Sequence, residues 1–151
     1  MASAGELVTI LLVEDNLDDI TITKKALKEA KIINKLYVVR DGQEAIAFLH
    51  HQGQYQDPAT SPKPGLILLD INLPKLNGME VLGRIKADPA LRRIPVVMLT
   101  MSKRDEDIVK SYNNGCNSFI QKPVEFERFV ELVKQIGLYW GLFNVASPNG
   151  S

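Results

Sequence analysis

Leu66-Ile67-Leu68-Leu69-Asp70-Ile71-Asn72-Leu73-Pro74 is the stretch whose reading decides the fold. Four consecutive branched apolar residues do not alternate with polar ones, so the segment cannot be a strand with one wet face. It reads as a strand, Leu66 to Asp70, covered on both sides and ending on a single carboxylate. Similar runs occur at Leu7 to Val13, Leu36 to Val39, Ile94 to Leu99 and Ser118 to Ile120, each followed by an amphipathic stretch. Strand then helix, five times over with short connections, implies a parallel sheet with right-handed crossovers and helices on both faces.

The helical stretches carry their own punctuation. Asp41-Gly42 opens the second, Asp88-Pro89 ends the third because the residue before proline is pushed out of helical geometry, and Gly115 suits the close of the fourth. The segment from Gly53 to Pro64, with prolines at 58, 62 and 64, reads as one long exposed loop, and His50 and His51 beside it are expected on the surface. No linker or repeat divides the chain. The expected fold is therefore α/β: a doubly wound five-stranded parallel sheet in the flavodoxin-like order 2-1-3-4-5 with five helices. One domain is expected over residues 7–144, with flexible ends at 1–6 and 145–151 and no output domain after the fifth helix.

Composition narrows the function. Lysine plus arginine equals aspartate plus glutamate at 18 each, which provides no basic footprint for nucleic acid and no polybasic membrane patch. The one cysteine, Cys116, has no internal partner and reads as a packing residue. The start has no cationic-then-apolar signal pattern, and no apolar run is long enough to span a bilayer, so a cytoplasmic location is expected.

In a doubly wound sheet the site lies at the carboxyl ends of the strands. Those ends hold Glu14-Asp15 after strand 1, Asp70 on strand 3, Thr100 after strand 4 and Lys122-Pro123 after strand 5. Three converging carboxylates resist ionisation unless a cation sits among them, and hard oxygen ligands favour Mg²⁺, with Mn²⁺ as the substitute ion. Asp70 is the nucleophile candidate, because it ends a rigid buried strand and a carboxylate can carry a phosphoryl group. Mg²⁺, the Lys122 ammonium and the Thr100 hydroxyl would each neutralise one peripheral oxygen of that group. Taken singly, each residue has a commoner reading as a cap, turn or solvated charge. Their joint placement argues for a site.

Leu11-Leu12-Val13-Glu14-Asp15-Asn16, Leu68 to Pro74, Asn77-Gly78, Leu99-Thr100 and Lys122-Pro123 together resemble the receiver domains of two-component response regulators. The resemblance implies that Glu14 and Asp15 hold Mg²⁺, one of them largely through water, with Asp70 and the backbone carbonyl of Asn72. It implies a phosphohistidine donor on a sensor histidine kinase and a chain that catalyses only its own phosphorylation and dephosphorylation. It further implies a switch in which Thr100 moves toward the phosphoryl group and Phe119 turns inward, phosphoryl lifetime tuned at Asn72 and Ser102, and a cis bond at Lys122-Pro123. Relatives often carry tyrosine at Phe119 and a small residue at Met101, where a bulky side chain would restrict the path of Thr100. Glu14-Asp15-Asn16, Val39-Arg40-Asp41-Gly42, the proline-rich insertion, Thr100-Met101-Ser102-Lys103 and Lys110-Ser111-Tyr112 resemble single-domain regulators paired with cyanobacterial phytochrome kinases.

Other readings fare less well. A haloacid-dehalogenase-type aspartyl-phosphate phosphatase needs a second aspartate where Asn72 stands, and a flavodoxin-like binder needs a phosphate-cradling loop where Glu14-Asp15 would repel phosphate. A phosphorylation-independent pseudo-receiver, acting as an interaction module, is the remaining alternative. In the last helix Phe126, Phe129, Val130 and Val133 form one apolar stripe and Leu132, Ile136, Tyr139, Trp140 and Phe143 a second. The second either folds back on the domain or makes a homodimer face. The downstream partner is not legible.

Overall fold

Successive side chains of a strand point to opposite faces of its sheet, so an unbroken apolar run is stable only where both faces are covered. The computed structural model of the chain describes residues 9–30, 34–111 and 118–135. Strands β1 (Ile10–Val13), β2 (Leu36–Val39), β3 (Leu66–Asp70), β4 (Val96–Thr100) and β5 (Ser118–Gln121) form one sheet in the order β2-β1-β3-β4-β5, every pairing parallel. Helices α1 (Leu17–Glu29), α2 (Gly42–Leu49), α3 (Gly78–Ala87), α4 (Lys103–Ser111) and α5 (Phe126–Gln135) follow the strands in turn. This is the expected doubly wound fold.

On one face Leu12, Leu66, Leu68 and Leu99 pack with Ile20 and Leu27 of α1 and Phe129 of α5. On the other, Leu11, Ile67, Leu69 and Met98 pack with Phe48 of α2, Leu82 and Ile85 of α3 and Val109 of α4. Leu66, Ile67, Leu68 and Leu69 have no exposed surface at all. Burying each such side chain is worth roughly 1.5–3 kcal/mol, so β3, like its neighbours β1 and β4, is firmly held. Asp70 projects from its end.

Each of the first three helices begins on a residue whose side chain accepts from the third backbone N–H: Asn16 from Asp19, Asp41 from Glu44 and Asn77 from Glu80. Asp88 ends α3 in extended geometry before Pro89, as the sequence indicates. Two glycines permit close approach of backbone to backbone. A Cβ on Gly42 would lie 1.8 Å from the Leu76 carbonyl oxygen, and one on Gly78 would lie 2.2 Å from the Asp70 carbonyl oxygen.

Several boundaries differ from the sequence reading. β4 begins at Val96 rather than Ile94, because Ile94 donates its N–H to Leu91 within a turn and Pro95 has none to offer a ladder. β5 continues to Gln121, opposite Thr100. β1 begins at Ile10, where its partners Leu36 and Leu66 begin, and Thr9 lies outside the ladder. The 53–64 segment is less loose than expected. A 3₁₀ turn (Gly53–Tyr55) brings the Tyr55 ring 5.2 Å from Phe48, Ser61 is 2% exposed, and His51, half-buried at φ 55°, places Nε2 2.8 Å from the Ser61 carbonyl oxygen. His50 is exposed as expected, 2.8 Å from Asp88.

Leu132 requires correction. It is 4% exposed in the core with Phe129, so the helical turn assigned to an outward stripe faces the sheet. Leu7, Val8, Gly115, Cys116, Ile136, Tyr139, Trp140, Phe143 and both chain ends fall outside the described residues. Among those described, no helix is long and apolar enough to cross a membrane.

A methyl group at position 78 must push the Asp70 backbone away or unseat α3. Gly78→Ala is expected to lose about 2 kcal/mol of stability in urea denaturation, in line with overpacking at a rigid site, whereas Gly83→Ala, with nothing within 4 Å, should not destabilise.

Candidate functional site

The parallel register aligns Val13 with Leu69 and Asp70 with Leu99, so the residues that follow β1 and β4 emerge beside Asp70. Glu14, Asp70 and Thr100 are then 0%, 2% and 0% exposed. Lys122 reaches in from the turn after β5, where its N–H donates 2.7 Å to the Thr100 carbonyl oxygen and its bond to Pro123 is cis.

The Lys122 ammonium is the centre of the site. Its Nζ donates to Asp19 Oδ2 at 2.9 Å, Glu14 Oε1 at 3.1 Å and Asp70 Oδ2 at 3.2 Å, with only 6% of the lysine side chain exposed. Burial opposes its charge, but the Asp19 hydrogen bond and the charges of Asp70 and Glu14 outweigh that cost and hold its pKa well above the ordinary value. Glu14 is also shifted upward, which for a carboxyl favours the neutral form. Burial first, and then the charge of Asp70, push its carboxyl up to about 7, against the lowering effects of the Asn16 N–H and Lys122. Asp70 Oδ1 accepts from the Asn72 N–H at 3.1 Å, which fixes the carboxylate against its own loop.

The structure brings together Glu14, Asp70, Thr100 and Lys122, as the sequence indicates. Asp15, expected to converge with them, is exposed, and its backbone carbonyl accepts from Arg40 Nη2 at 2.9 Å. Asn72 is exposed, with its Nδ2 3.5 Å from Asp105. Ser102 is exposed and its Oγ accepts the Asp105 N–H at 3.2 Å. The Thr100 hydroxyl donates to the Ile120 carbonyl oxygen at 3.4 Å, so it is engaged with β5. Phe119 is half-buried under the Lys110 ammonium, 5.3 Å from the ring centroid, and Met101 is 59% exposed. Asp19 was missed by sequence reasoning. Its signal was a second acid in the first turn of α1, one turn beyond Asp15, which looks like an ordinary helix-start charge until Lys122 is placed.

Among the described residues no three His, Cys, Asp and Glu side chains already form an ion site. The donor chemistry nevertheless fits a hard divalent cation: the buried Glu14 carboxyl resists ionisation beside the charge of Asp70, and Asp15, exposed, follows Glu14 in the same loop.

Fold and site together define a class. Residues 10–134 match the response regulator receiver domain, and the chain belongs to that family. It is 44% identical to the response regulator Rcp1 of Synechocystis sp. over 131 residues, 87% of each chain. Among solved structures it resembles the bacteriophytochrome response regulator RtBRR (43% identity, TM-score 0.84, 95% of this chain and 86% of that one). It also resembles the phosphorylated cyanobacterial phytochrome response regulator RcpA (41%, TM-score 0.72, 93% and 99%) and the Mn²⁺-bound form of Rcp1 (40%, TM-score 0.71, 93% and 99%).

The raised Glu14 pKa has a definite sign. The folded state favours the neutral carboxyl, so this stabilisation is complete below the ordinary value of 4.5 and is lost as pH rises through about 7. Urea denaturation in chelator is expected to show stability falling across that window, with Glu14→Gln flattening the fall.

Proposed function

We propose that the chain accepts a phosphoryl group from a phosphohistidine on Asp70 and relays the event through a change of surface. The observation that carries this reading is the buried strand-end carboxylate of Asp70 within hydrogen-bond reach of the Lys122 ammonium. Glu14, Asp15, Asp70 and the Asn72 carbonyl would hold Mg²⁺, or Mn²⁺, which when bound supplies countercharge to the phosphoryl oxygens.

The residues divide the remaining work. The Asn72 N–H holds Asp70 Oδ1, and Lys122 orients Oδ2 and offers a positive charge to a peripheral phosphoryl oxygen. Thr100 would release Ile120 and turn its hydroxyl toward another oxygen. That rotation vacates space beside β5 into which Phe119 moves, at the cost of its contact with Lys110. Two arrangements of α4, β5 and α5 then differ by the contacts that the phosphoryl group makes in one of them only. Asn72 and Ser102 flank the route of the hydrolytic water and set the lifetime. Likeness to regulators named for phytochromes supports a phytochrome-type sensor histidine kinase as the donor.

Acetyl phosphate with Mg²⁺ is expected to label the wild type and to leave Asp70→Asn unlabelled at the same peptide, read by phosphate-affinity electrophoresis and peptide mapping. A wild type that takes no label would leave an interaction module as the better reading. Thr100→Ala is expected to keep uptake but lose the phosphorylation-dependent ¹⁹F shift of a fluorophenylalanine placed at position 119.

A further inference from the structure

We propose that Asp19 is a positioning residue for this reaction: it takes the shortest hydrogen bond of the Lys122 ammonium and so weakens that ammonium's hold on Glu14 and Asp70, the acids a divalent cation must reach. The inference rests on the phosphoacceptor reading of Asp70. An ammonium has three donors, and here three carboxylates take one each. Asp19 makes the shortest of the three contacts and is the only one of the three carboxylates with substantial solvent exposure, 23% of its side chain against 0% for Glu14 and 3% for Asp70.

Local structure fixes Asp19 in that role. Its N–H is bound by the Asn16 side chain at 3.0 Å, which sets the first turn of α1, and an anion in that turn is favoured by the helix dipole. With Asp19 removed, the remaining partners of Lys122 are the two buried acids. The ammonium then closes on Glu14 and Asp70, and a divalent cation must displace it to reach the same oxygens, since two cations in contact there repel. Asp19 thus acts through Lys122 and touches neither cation nor phosphoryl group. Its neighbour Asp18, exposed in the same turn, carries the same charge without the contact and separates positioning from general electrostatics.

The test compares wild type, Asp19→Asn, Asp19→Glu and Asp18→Asn. Mn²⁺ binding to the unphosphorylated proteins is read by electron paramagnetic resonance, and initial rates with acetyl phosphate are measured against Mg²⁺ concentration. Asp19→Asn is expected to weaken Mn²⁺ binding by about tenfold, the usual effect of losing a partner that orients a ligand set. It should raise the Mg²⁺ concentration for half-maximal rate in step, while the rate at saturating Mg²⁺ recovers toward wild type. Asp18→Asn should stay within about twofold, because an exposed charge is screened, and Asp19→Glu should rescue most of the loss. Thermal melts without metal identify a variant that binds poorly because it is unfolded, and Asp19→Glu then decides the matter by its own Mn²⁺ affinity. Equal Mn²⁺ affinities for Asp19→Asn and Asp18→Asn would overturn the proposal. A wild type that binds Mn²⁺ but takes no label on Asp70 would instead overturn the phosphoacceptor reading, and the Mn²⁺ comparison would still decide the role of Asp19.

Discussion

The ammonium of Lys122, enclosed by Glu14, Asp19 and Asp70, is the interaction on which the rest of this molecule depends. Three carboxylates gathered at one sheet edge would repel one another, and two of them have almost no water to share the charge. One buried cation makes the cluster tolerable, and Glu14 remains reluctant to ionise even so. A site balanced in this way still has demand for positive charge. The same imbalance that costs stability in the resting chain favours a divalent cation, and it makes the arrangement sensitive to any further negative charge placed on Asp70.

That balance needs a rigid frame, and the frame is the two-sided burial of β3. The apolar run from Leu66 to Leu69 is covered by α1 and α5 on one side and by α2, α3 and α4 on the other. Asp70 therefore cannot withdraw, and Gly78 lets α3 press directly on its backbone. The supporting contacts lie in the loops. Arg40 ties the backbone of Asp15 to the end of β2, and Asp105 accepts the Met101 N–H at 2.8 Å, which ties the loop after β4 to α4. At the surface of α4 and β5, Lys110 sits over Phe119.

Much of this was legible in the residues. Unbroken apolar runs alternating with amphipathic stretches read as two-sided strands, so the parallel sheet and the five helices followed from Leu66-Ile67-Leu68-Leu69 and its counterparts, and the strand order is one common to doubly wound sheets. Asp41-Gly42 opened α2 and Asp88-Pro89 closed α3 because capping and proline geometry are local. The carboxyl ends of the strands then named Glu14, Asp70, Thr100 and Lys122. Local rules failed where a distant partner decides. Ile94 is as apolar as any strand residue, yet it sits in a turn with its N–H bonded to Leu91, and Pro95 beside it has no N–H to donate to a ladder. Leu132 fitted an outward stripe by spacing, yet it is buried in the core beside Phe129 where α5 packs on the sheet.

The sequence by itself determined the architecture and which polar residues stand at the carboxyl ends of the strands, because side-chain alternation, caps and turns depend on neighbours a few positions apart. Only the tertiary structure decided how the charges share one another. Asp19 and Lys122 are separated by 103 residues, and their contact exists because β1 and β5 both deliver their following segments to the carboxyl end of the parallel sheet. Which carboxylate stays buried, which faces water and where the ammonium stands are properties of distance and exposure. Those are set by packing across the whole fold, and no local pattern of residues encodes them.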